Sequence, residues 1–258
     1  MSENFLGLNQ LYHGDVLEGL ARVRDCSVDL IFTSPPYNVN TSYANHIDSK
    51  DWDEYLAWLF NVWTQCERVL KVGGRLVVNI DSIINRTVAP AVRSEYFRPI
   101  YADLINQMRR LEGMKFRNDI CWLKHQVAGR AAAWGSYLSP ANPVIRRNHE
   151  YLLVWSKNNW SAAADGRKSD LTASEFQEFT MSTWHIKAET RYMGGHPAPF
   201  PEELARRVIK LYSYVGDTVL DPFCGSGTTL CVAAMLGRNY LGIDNCLRYL
   251  EFASERLL

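Results

Sequence analysis

The chain has 258 residues and a formal net charge of zero, with 47% of its residues hydrophobic and 22% charged. A chain of this length and composition folds around a sizeable core without disulfide staples. No segment approaches the roughly 20 consecutive apolar residues that span a bilayer, and the N-terminal sequence MSENFLGLNQ lacks the basic and apolar regions of a signal peptide. The six scattered cysteines include no C-x-x-C pair, which predicts free thiols and no metal site.

Strands and helices alternate along most of the sequence. Short β-branched or aromatic runs bounded by turn residues predict strands at QLYHGD, VDLIFT, GRLVVNI, FRNDICWL, HEYLLVW, DTVLD and NYLGID. Amphipathic patterns predict helices over Trp52–Val69, Phe97–Leu111, Glu202–Tyr212, Thr228–Leu236 and Leu247–Leu257. Strands that alternate with helices of this length indicate an α/β protein with a parallel sheet.

One region interrupts this alternation. Residues 125–184 are rich in Gly, Ala, Ser, Asn and Trp, apart from the strand near Glu150–Trp155. We therefore predict an insertion there and a main domain formed by residues 1–124 and 185–258. Residues 93–147, which overlap the start of the insertion, hold ten Lys or Arg and four Asp or Glu. Such a basic stretch suits a polyanion, although an ordinary solvated helix surface explains it equally well.

The segment DLIFTSPPYN, residues 29–38, is an apolar strand that stops at a hydroxyl, two prolines and a tyrosine. Proline fixes φ at about −65° and restricts the residue before it. The loop therefore holds its polar groups in fixed positions at the end of a buried strand. Taken alone, these four residues are more typical of a rigid turn that has no chemical role.

The second motif is DTVLDPFCGSGTTLCVAAMLG, residues 217–237, in which a strand, a glycine loop and a helix follow one another. Ligands bind at such loops in open α/β sheets. No lysine follows the glycines, and Leu230 occupies the third glycine position of a dinucleotide fingerprint. Asp244 ends the next strand 23 residues after Asp221, at an offset where an acid accepts the ribose hydroxyls of adenosine. A nucleoside cofactor without phosphates, such as S-adenosylmethionine, fits this combination.

Together, TSPPY at Thr33–Tyr37 and DPFCGSGTT at Asp221–Thr229 resemble the motifs of the DNA amino-methyltransferases, which methylate the exocyclic nitrogen of cytosine or adenine. The order of catalytic loop, insertion and glycine loop resembles that of the family's β class. The resemblance implies a Rossmann-like sheet with circularly permuted motifs, S-adenosylmethionine as cofactor and a target-recognition region in the insertion. It also implies a cytoplasmic, nucleoid-associated protein of prokaryotic type, of the kind found in restriction–modification systems.

The resemblance also implies a role for individual residues. The Ser34 hydroxyl and the Pro35 carbonyl would accept hydrogen bonds from the target amine, and the extruded base would stack on Tyr37. The implied catalytic residues are Ser34, Pro35, Pro36 and Tyr37. The implied cofactor-binding residues are Asp15, Thr33, His196, Asp221, Pro222, Phe223, Gly225, Ser226, Gly227, Thr228 and Asp244. The implied DNA-binding residues are Lys124, Arg130, Arg146 and Arg147.

Some positions are left open. The family often has a lysine where this chain has Phe200, so the partner of the cofactor's carboxylate is not assigned. Asp81 follows a strand and either faces a ligand or caps the next helix. Trp122 belongs either to the base pocket or to the core, and Glu150 occupies a family-typical position whose role the sequence does not reveal.

The loop sequence bears on the target base. In the family, Ser-Pro-Pro-Tyr goes mostly with cytosine N4 and Asp-Pro-Pro-Tyr mostly with adenine N6. We therefore predict transfer to cytosine N4 in double-stranded DNA, with adenine N6 as the alternative and an RNA methyltransferase or an inactive DNA-binding partner as the second alternative. No cysteine follows a proline, which disfavours chemistry at cytosine C5. No metal or membrane partner is expected, and a monomer and a homodimer both stay open.

Overall fold

The computed structural model describes residues 5–39, 49–86, 96–124, 136, 138–143, 145, 147–189 and 200–258. Its strands are β1 (Gln10–His13), β2 (Val28–Thr33), β3 (Leu70–Asp81), β4 (Ile84–Arg86), β5 (Tyr96–Arg98), β6 (Met114–Leu123), β7 (His149–Lys157), β8 (Thr183–His185), β9 (Thr218–Asp221) and β10 (Asn239–Asp244). Its helices are α1 (Val16–Ala21), α2 (Trp52–Val69), α3 (Ile100–Met108), α4 (Ala173–Phe179), α5 (Glu202–Tyr212), α6 (Thr228–Met235) and α7 (Leu247–Leu257). Within the described ranges, no helix is long and apolar enough to cross a membrane.

The helices predicted from amphipathic patterns are present. Helices α2, α5 and α7 begin and end at the predicted residues, and α6 ends one residue early. Helix α3 begins at Ile100 rather than at Phe97, because Tyr96–Arg98 forms strand β5 and Pro99 occupies the N-cap. The sequence patterns do not predict α1, α4, β4, β5 or β8, since elements of three to seven residues are too short to show a clear period.

Eight strands form one sheet in the order β1-β10-β9-β2-β3-β7-β6-β8. Neighbouring strands are parallel, except that β7 is antiparallel to both β3 and β6. The predicted α/β, Rossmann-like fold is therefore confirmed, whereas the expectation of a purely parallel sheet is wrong for β7. Strands β6 and β7 follow each other along the chain, and antiparallel neighbours need no crossover helix between them.

Helices cover both faces of the sheet, and strand β2 is buried along its whole length between them. Ile31 packs into a core with residues of α1 and α2 such as Leu20 and Trp63. Leu30 packs on the opposite face, with residues of α5 such as Val208. Alternate residues of a strand point to opposite faces, so a strand that is buried on both sides has no polar face.

Residues 158–172, which lie within the predicted insertion, are held against the sheet by ion pairs. Arg167 pairs with Asp217, the residue before β9, at 2.6 Å. The buried Arg238 holds Asp170 through two hydrogen bonds of 2.7 and 2.8 Å. Strand β7, also within the predicted insertion, lies inside the main sheet. These parts of the segment therefore pack on the sheet, and the domain boundaries drawn from the sequence stay a prediction.

Gly227, the N-cap of α6, has a φ of 79°, and a Cβ added there would lie 2.6 Å from the Cβ of Ala253 in α7. Gly216 has a similar φ of 86°, but a Cβ at that position meets nothing within 4 Å. We expect Gly216→Ala to lower the free energy of unfolding by about 1–2 kcal/mol through backbone strain alone. Gly227→Ala should lower it clearly further, because α7 must also move. Urea unfolding of both variants measures the difference, and equal losses would contradict the clash with α7.

Candidate functional site

The loops at one rim of the sheet enclose a cavity of about 660 Å³. The rim is formed where the parallel strands end, as expected for ligand sites in open α/β sheets. Strand β7 runs in the opposite direction, so it brings its first residues, rather than its last, to the same rim. The lining of the cavity includes Gly14, Asp15, Ser34, Pro35, Pro36, Tyr37, Lys50, Tyr55, Trp58, Asn79, Trp122, Lys124, Glu150, Phe200, Asp221, Pro222, Phe223, Cys224, Gly225, Ser226, Thr228, Asp244 and Tyr249.

The Ser-Pro-Pro-Tyr loop, residues 34–37, follows β2 and is fixed by hydrogen bonds from two neighbouring elements. The Tyr55 hydroxyl of α2 donates to the Pro36 carbonyl at 2.7 Å. The Tyr37 hydroxyl lies 3.2 Å from the Ser34 hydroxyl and within 3.4 Å of the Asn79 backbone carbonyl in β3. These contacts and the restricted φ of the two prolines hold the Ser34 side chain at the cavity wall.

A buried carboxylate joins this loop to the glycine loop. Asp221, at the end of β9, accepts hydrogen bonds from the Thr33 hydroxyl at 2.6 Å, the Thr229 hydroxyl at 2.8 Å and the Phe223 N–H at 3.1 Å. No lysine or arginine pairs with it in the part of the chain that the structure describes. Burial raises the pKa of Asp221 to about 6, although these hydrogen bonds act to lower it. The TSPPY motif and the DPFCGSGTT motif, although far apart in the sequence, are therefore in direct contact.

The glycine loop is tied to the end of β10. One Asp244 carboxylate oxygen accepts from the Gly225 N–H and the other from the Cys246 N–H, both at 2.8 Å. Gly225 and Gly227 both adopt positive φ, which allows the tight turn into α6. The Thr228 hydroxyl, in the first turn of that helix, is buried, and it has no hydrogen-bond partner among the described residues.

Two further features lie on this side of the cavity. The Asp15 carboxylate caps α1 by accepting from the Leu17 N–H at 2.8 Å, and it also lines the cavity. The Phe223 ring lies 5.7 Å from the Trp58 ring of α2, measured between ring centroids. The cavity thus combines an acid at the end of β1, an acid at the end of β10 and an aromatic wall.

The opposite side of the cavity is built by β3, β6 and β7. The Glu150 carboxylate accepts a hydrogen bond from the Asn79 side-chain amide at 2.9 Å and forms an ion pair with the Lys124 ammonium. The ammonium also lies 4.8 Å from the centroid of the Trp122 ring. We refer to this ion pair as the Lys124–Glu150 pair.

The structure brings most of the residues implied by the motifs to the cavity. Among the described residues, Lys124 and all of the implied catalytic and cofactor-binding residues line it, except Thr33 and Gly227. Thr33 and Gly227 lie behind the wall, the first bonded to Asp221 and the second against α7. Arg147 lies outside the lining, 3.6 Å from Asp81. His196, Arg130 and Arg146 are outside the described residues. The roles of all these residues stay predictions.

Several lining residues are absent from the set implied by the sequence. Tyr55 and Trp58 come from α2, Asn79 from β3 and Tyr249 from α7. The aromatic residues of α2 at positions 52, 55 and 58 recur every three residues, which indicates one helix face but not what that face meets. For Asn79, no local pattern distinguishes a lining residue from a core residue of a buried strand.

Comparisons with known proteins identify the family of this chain. The sequence model of the N6/N4 methylase family, described as "DNA methylase", matches residues 28–255. This chain belongs to the DNA amino-methyltransferase family. A DNA adenine methyltransferase of Escherichia coli K12, YhdJ, is 32% identical over 96% of this chain and 82% of its own length. The predicted β-class resemblance is therefore confirmed.

Solved structures of related proteins have the same fold. TTHA0409 of Thermus thermophilus, described as a putative DNA modification methylase and complexed with S-adenosyl-L-methionine, matches with a TM-score of 0.76 and 32% identity, over 96% of this chain and 93% of that one. The cytosine-N4-specific PvuII DNA methyltransferase matches with a TM-score of 0.73 at 20% identity, over 99% of this chain and 88% of that one. At this lower identity the PvuII match supports the fold alone.

The elevated pKa of Asp221 predicts a pH-dependent stability. A carboxyl whose pKa is about 6 in the folded chain and 3.8 otherwise binds its proton more tightly when folded, so its contribution lowers stability as pH rises from 4 to 6. In Asp221→Asn, the amide oxygen can still accept from Thr33 and Phe223, and the amide nitrogen can donate to Thr229. We expect this variant to be more stable than the wild type at roughly pH 7.5, by up to about 3 kcal/mol, with a smaller difference near pH 4.

Thermal unfolding of the ligand-free protein at both pH values measures this difference. The Thr229→Val variant is the control, because it removes one hydrogen bond to Asp221 and keeps the charge. A loss of stability in Asp221→Asn at the higher pH would show that the charged carboxylate stabilises the fold instead.

Proposed function

We propose that this protein transfers a methyl group from S-adenosylmethionine to the exocyclic N4 of cytosine in double-stranded DNA, after the base has rotated out of the duplex. The observation that carries this proposal is that the Ser-Pro-Pro-Tyr loop and the glycine loop line one cavity and are joined behind its wall by the hydrogen bond from Thr33 to Asp221. The two loops are thereby close enough for a nucleophile held by one to reach a methyl donor held by the other.

The residues on the glycine-loop side of the cavity fit the cofactor. Asp244 and Asp15 offer carboxylates to the ribose and adenine, and Phe223 with Trp58 offers an apolar surface for the adenine ring. The unpartnered Thr228 hydroxyl lies in the first turn of α6, where helix N–H groups favour an anion. We assign Thr228 to the cofactor's carboxylate, since Phe200 has no charge for this purpose. When bound, S-adenosylmethionine supplies an electrophilic methyl group on a sulfonium.

The Ser-Pro-Pro-Tyr loop prepares the target nitrogen. The lone pair of an exocyclic amine is delocalised into the base ring, so the amine is a poor nucleophile. The Ser34 hydroxyl and the Pro35 carbonyl accept hydrogen bonds from its two N–H groups, which localises the lone pair and directs it towards the methyl group. The loop is held rigid by Tyr55 and Asn79, so this orientation is established before the reaction begins.

A base inside a duplex cannot reach this cavity, so the reaction requires base flipping. Tyr37 lines the cavity beside Ser34 and offers a ring for the extruded base to stack on. The basic residues of the predicted insertion, such as Arg147, supply cations for phosphates, which position the protein on DNA without reading its sequence.

The serine of the loop favours cytosine over adenine, because in the family Ser-Pro-Pro-Tyr goes mostly with cytosine N4. The aspartate typical of adenine enzymes would add a charge-assisted acceptor that serine lacks. Adenine N6 is the second candidate. It is favoured by the 32% identity to YhdJ, which is an adenine methyltransferase. Both bases present an amine beside an unprotonated ring nitrogen, so the same loop geometry serves either.

Mass spectrometry of nucleosides tests the proposal directly. DNA rich in sequence contexts is incubated with S-adenosylmethionine and the wild type, and we expect N4-methyldeoxycytidine. Ser34→Ala should lower the rate by about 100-fold or more, since one preorganised hydrogen bond to the reacting group is lost, while the cofactor's Kd stays unchanged. Detection of N6-methyldeoxyadenosine instead would show that the target is adenine and not cytosine. No methylated nucleoside, with the cofactor shown to bind, would refute the proposed activity.

The assignment of Thr228 is tested by comparing two adenosine ligands with neutral sulfur. S-adenosylhomocysteine carries the carboxylate, and methylthioadenosine lacks the whole amino-acid moiety. Thr228→Val should weaken S-adenosylhomocysteine about tenfold by calorimetry, because a hydrogen bond to a charged group is lost, and should leave methylthioadenosine unchanged. Asp244→Ala should weaken both ligands, since both contain the ribose. An equal loss of affinity for both ligands in Thr228→Val would contradict the assignment.

A further inference from the structure

The cavity has two halves, separated by the Ser-Pro-Pro-Tyr loop. Strand β2, which carries the loop, lies in the middle of the sheet, with β9, β10 and β1 on one side and β3, β7 and β6 on the other. The glycine loop and its acids lie on the first side. The second side faces the reacting edge of the loop through Asn79, to which the Tyr37 hydroxyl is bonded. If the cofactor occupies the first half, as proposed above, the second half is where the target base enters.

The polar groups of this second half form one connected set. The Glu150 carboxylate is nearly buried, with 13% of the side chain exposed, and it is held on one oxygen by the Asn79 amide and on the other by the Lys124 ammonium. Glu150 lies directly opposite Trp122 across the β6–β7 pair, and the ammonium lies over the Trp122 ring. The ammonium therefore has a fixed position at the cavity wall.

An ammonium in this position is a hydrogen-bond donor. It has three N–H groups, and the bond to Glu150 uses one of them. Ser34 and Pro35 are both acceptors in the proposed reaction, so they match the hydrogens of an amine. The ring nitrogen beside that amine, N3 of cytosine or N1 of adenine, is an acceptor and needs a donor.

We propose that Lys124, oriented by Glu150 and Asn79, donates a hydrogen bond to the ring nitrogen adjacent to the target amine, which is N3 in cytosine and N1 in adenine. This inference rests on the proposed function and adds to it the residue that reads the ring. Lys124 then contacts the base rather than a phosphate, while Glu150 and Asn79 act as positioning residues. Lys50 is the other lysine that lines the cavity in the described part of the chain, so it is the matched control.

The test replaces one atom of the base. A duplex that contains the methylated site found by sequencing is prepared with cytosine or with 3-deazacytosine, which has C–H in place of N3, at the target position. The kcat/KM ratio of the two duplexes is measured for the full-length wild type, Lys124→Met, Lys124→Arg and Lys50→Met. Effects of the deaza atom on the intrinsic reactivity of the base appear in every protein and cancel when the ratios are compared.

We expect the wild type to prefer cytosine, and Lys124→Met to reduce that preference by about tenfold or more, as for the loss of a hydrogen bond from a charged donor. Lys124→Arg, which keeps a cationic donor, should retain part of the preference, and Lys50→Met should retain all of it. Glu150→Gln should reduce the preference with little effect on the cofactor's Kd, measured by calorimetry. If adenine is the methylated base, the same design uses 1-deazaadenine.

Two results overturn the inference while leaving the proposed function intact. One is an unchanged preference in Lys124→Met, with kcat/KM lowered by the same factor on both duplexes, which is the behaviour of a phosphate contact. The other is loss of the preference in Lys50→Met instead. Absence of methylation by the wild type on the unmodified duplex would overturn the proposed function, and this inference with it.

Discussion

The hydrogen bond between the Thr33 hydroxyl and Asp221 makes a single site from two motifs that lie 188 residues apart in the sequence. It forms because β2 and β9 are neighbours in the sheet, so their last residues meet at the same rim. The carboxylate that accepts it is buried and has no lysine or arginine partner among the described residues, and its raised pKa shows that burial disfavours the charge. A neutral side chain could connect the loops at a lower free-energy cost. In the proposed reaction the cofactor is a cation, so the same negative charge favours the bound state.

Much of the fold follows from local sequence patterns. Helices α2, α5 and α7 have amphipathic periods that are long enough to fix their ends, and the buried strands have continuous apolar runs. The direction of β7 could not be predicted in this way, because an apolar strand has the same pattern in a parallel and in an antiparallel sheet. The short strand β8 pairs with β6 across more than 60 residues of chain, and three residues provide no period that would indicate it.

The residues of the candidate site could likewise be predicted only in part from the sequence. Motif residues that follow strands β1, β2, β9 and β10 could be placed at the rim from the sequence, because parallel strands end at one edge. The second half of the cavity could not. Asn79 and Glu150 lie 71 positions apart and meet only through the register of β3 with β7. Lys124 belongs to a basic stretch, which suggested a phosphate contact, and only its pairing with Glu150 places its charge inside the cavity. The roles of individual residues in binding and catalysis stay predictions.

The reversed strand β7 is what distinguishes the two halves of the cavity. In a wholly parallel sheet, its first residues would lie at the opposite edge, and the second half would lack a carboxylate to hold the Lys124 ammonium. Lys124 comes directly after β6, and Glu150 lies at the start of β7. The Lys124–Glu150 pair therefore joins the two ends of the connection between these strands. The Lys124 N–H also donates to the Asn148 carbonyl at 2.8 Å. If the connection contacts DNA, as the sequence predicts, a change in the connection beyond this point would alter those contacts while the ammonium keeps its place in the cavity. We therefore propose that chemistry at the amine and recognition of the surrounding DNA sequence are separated along the chain.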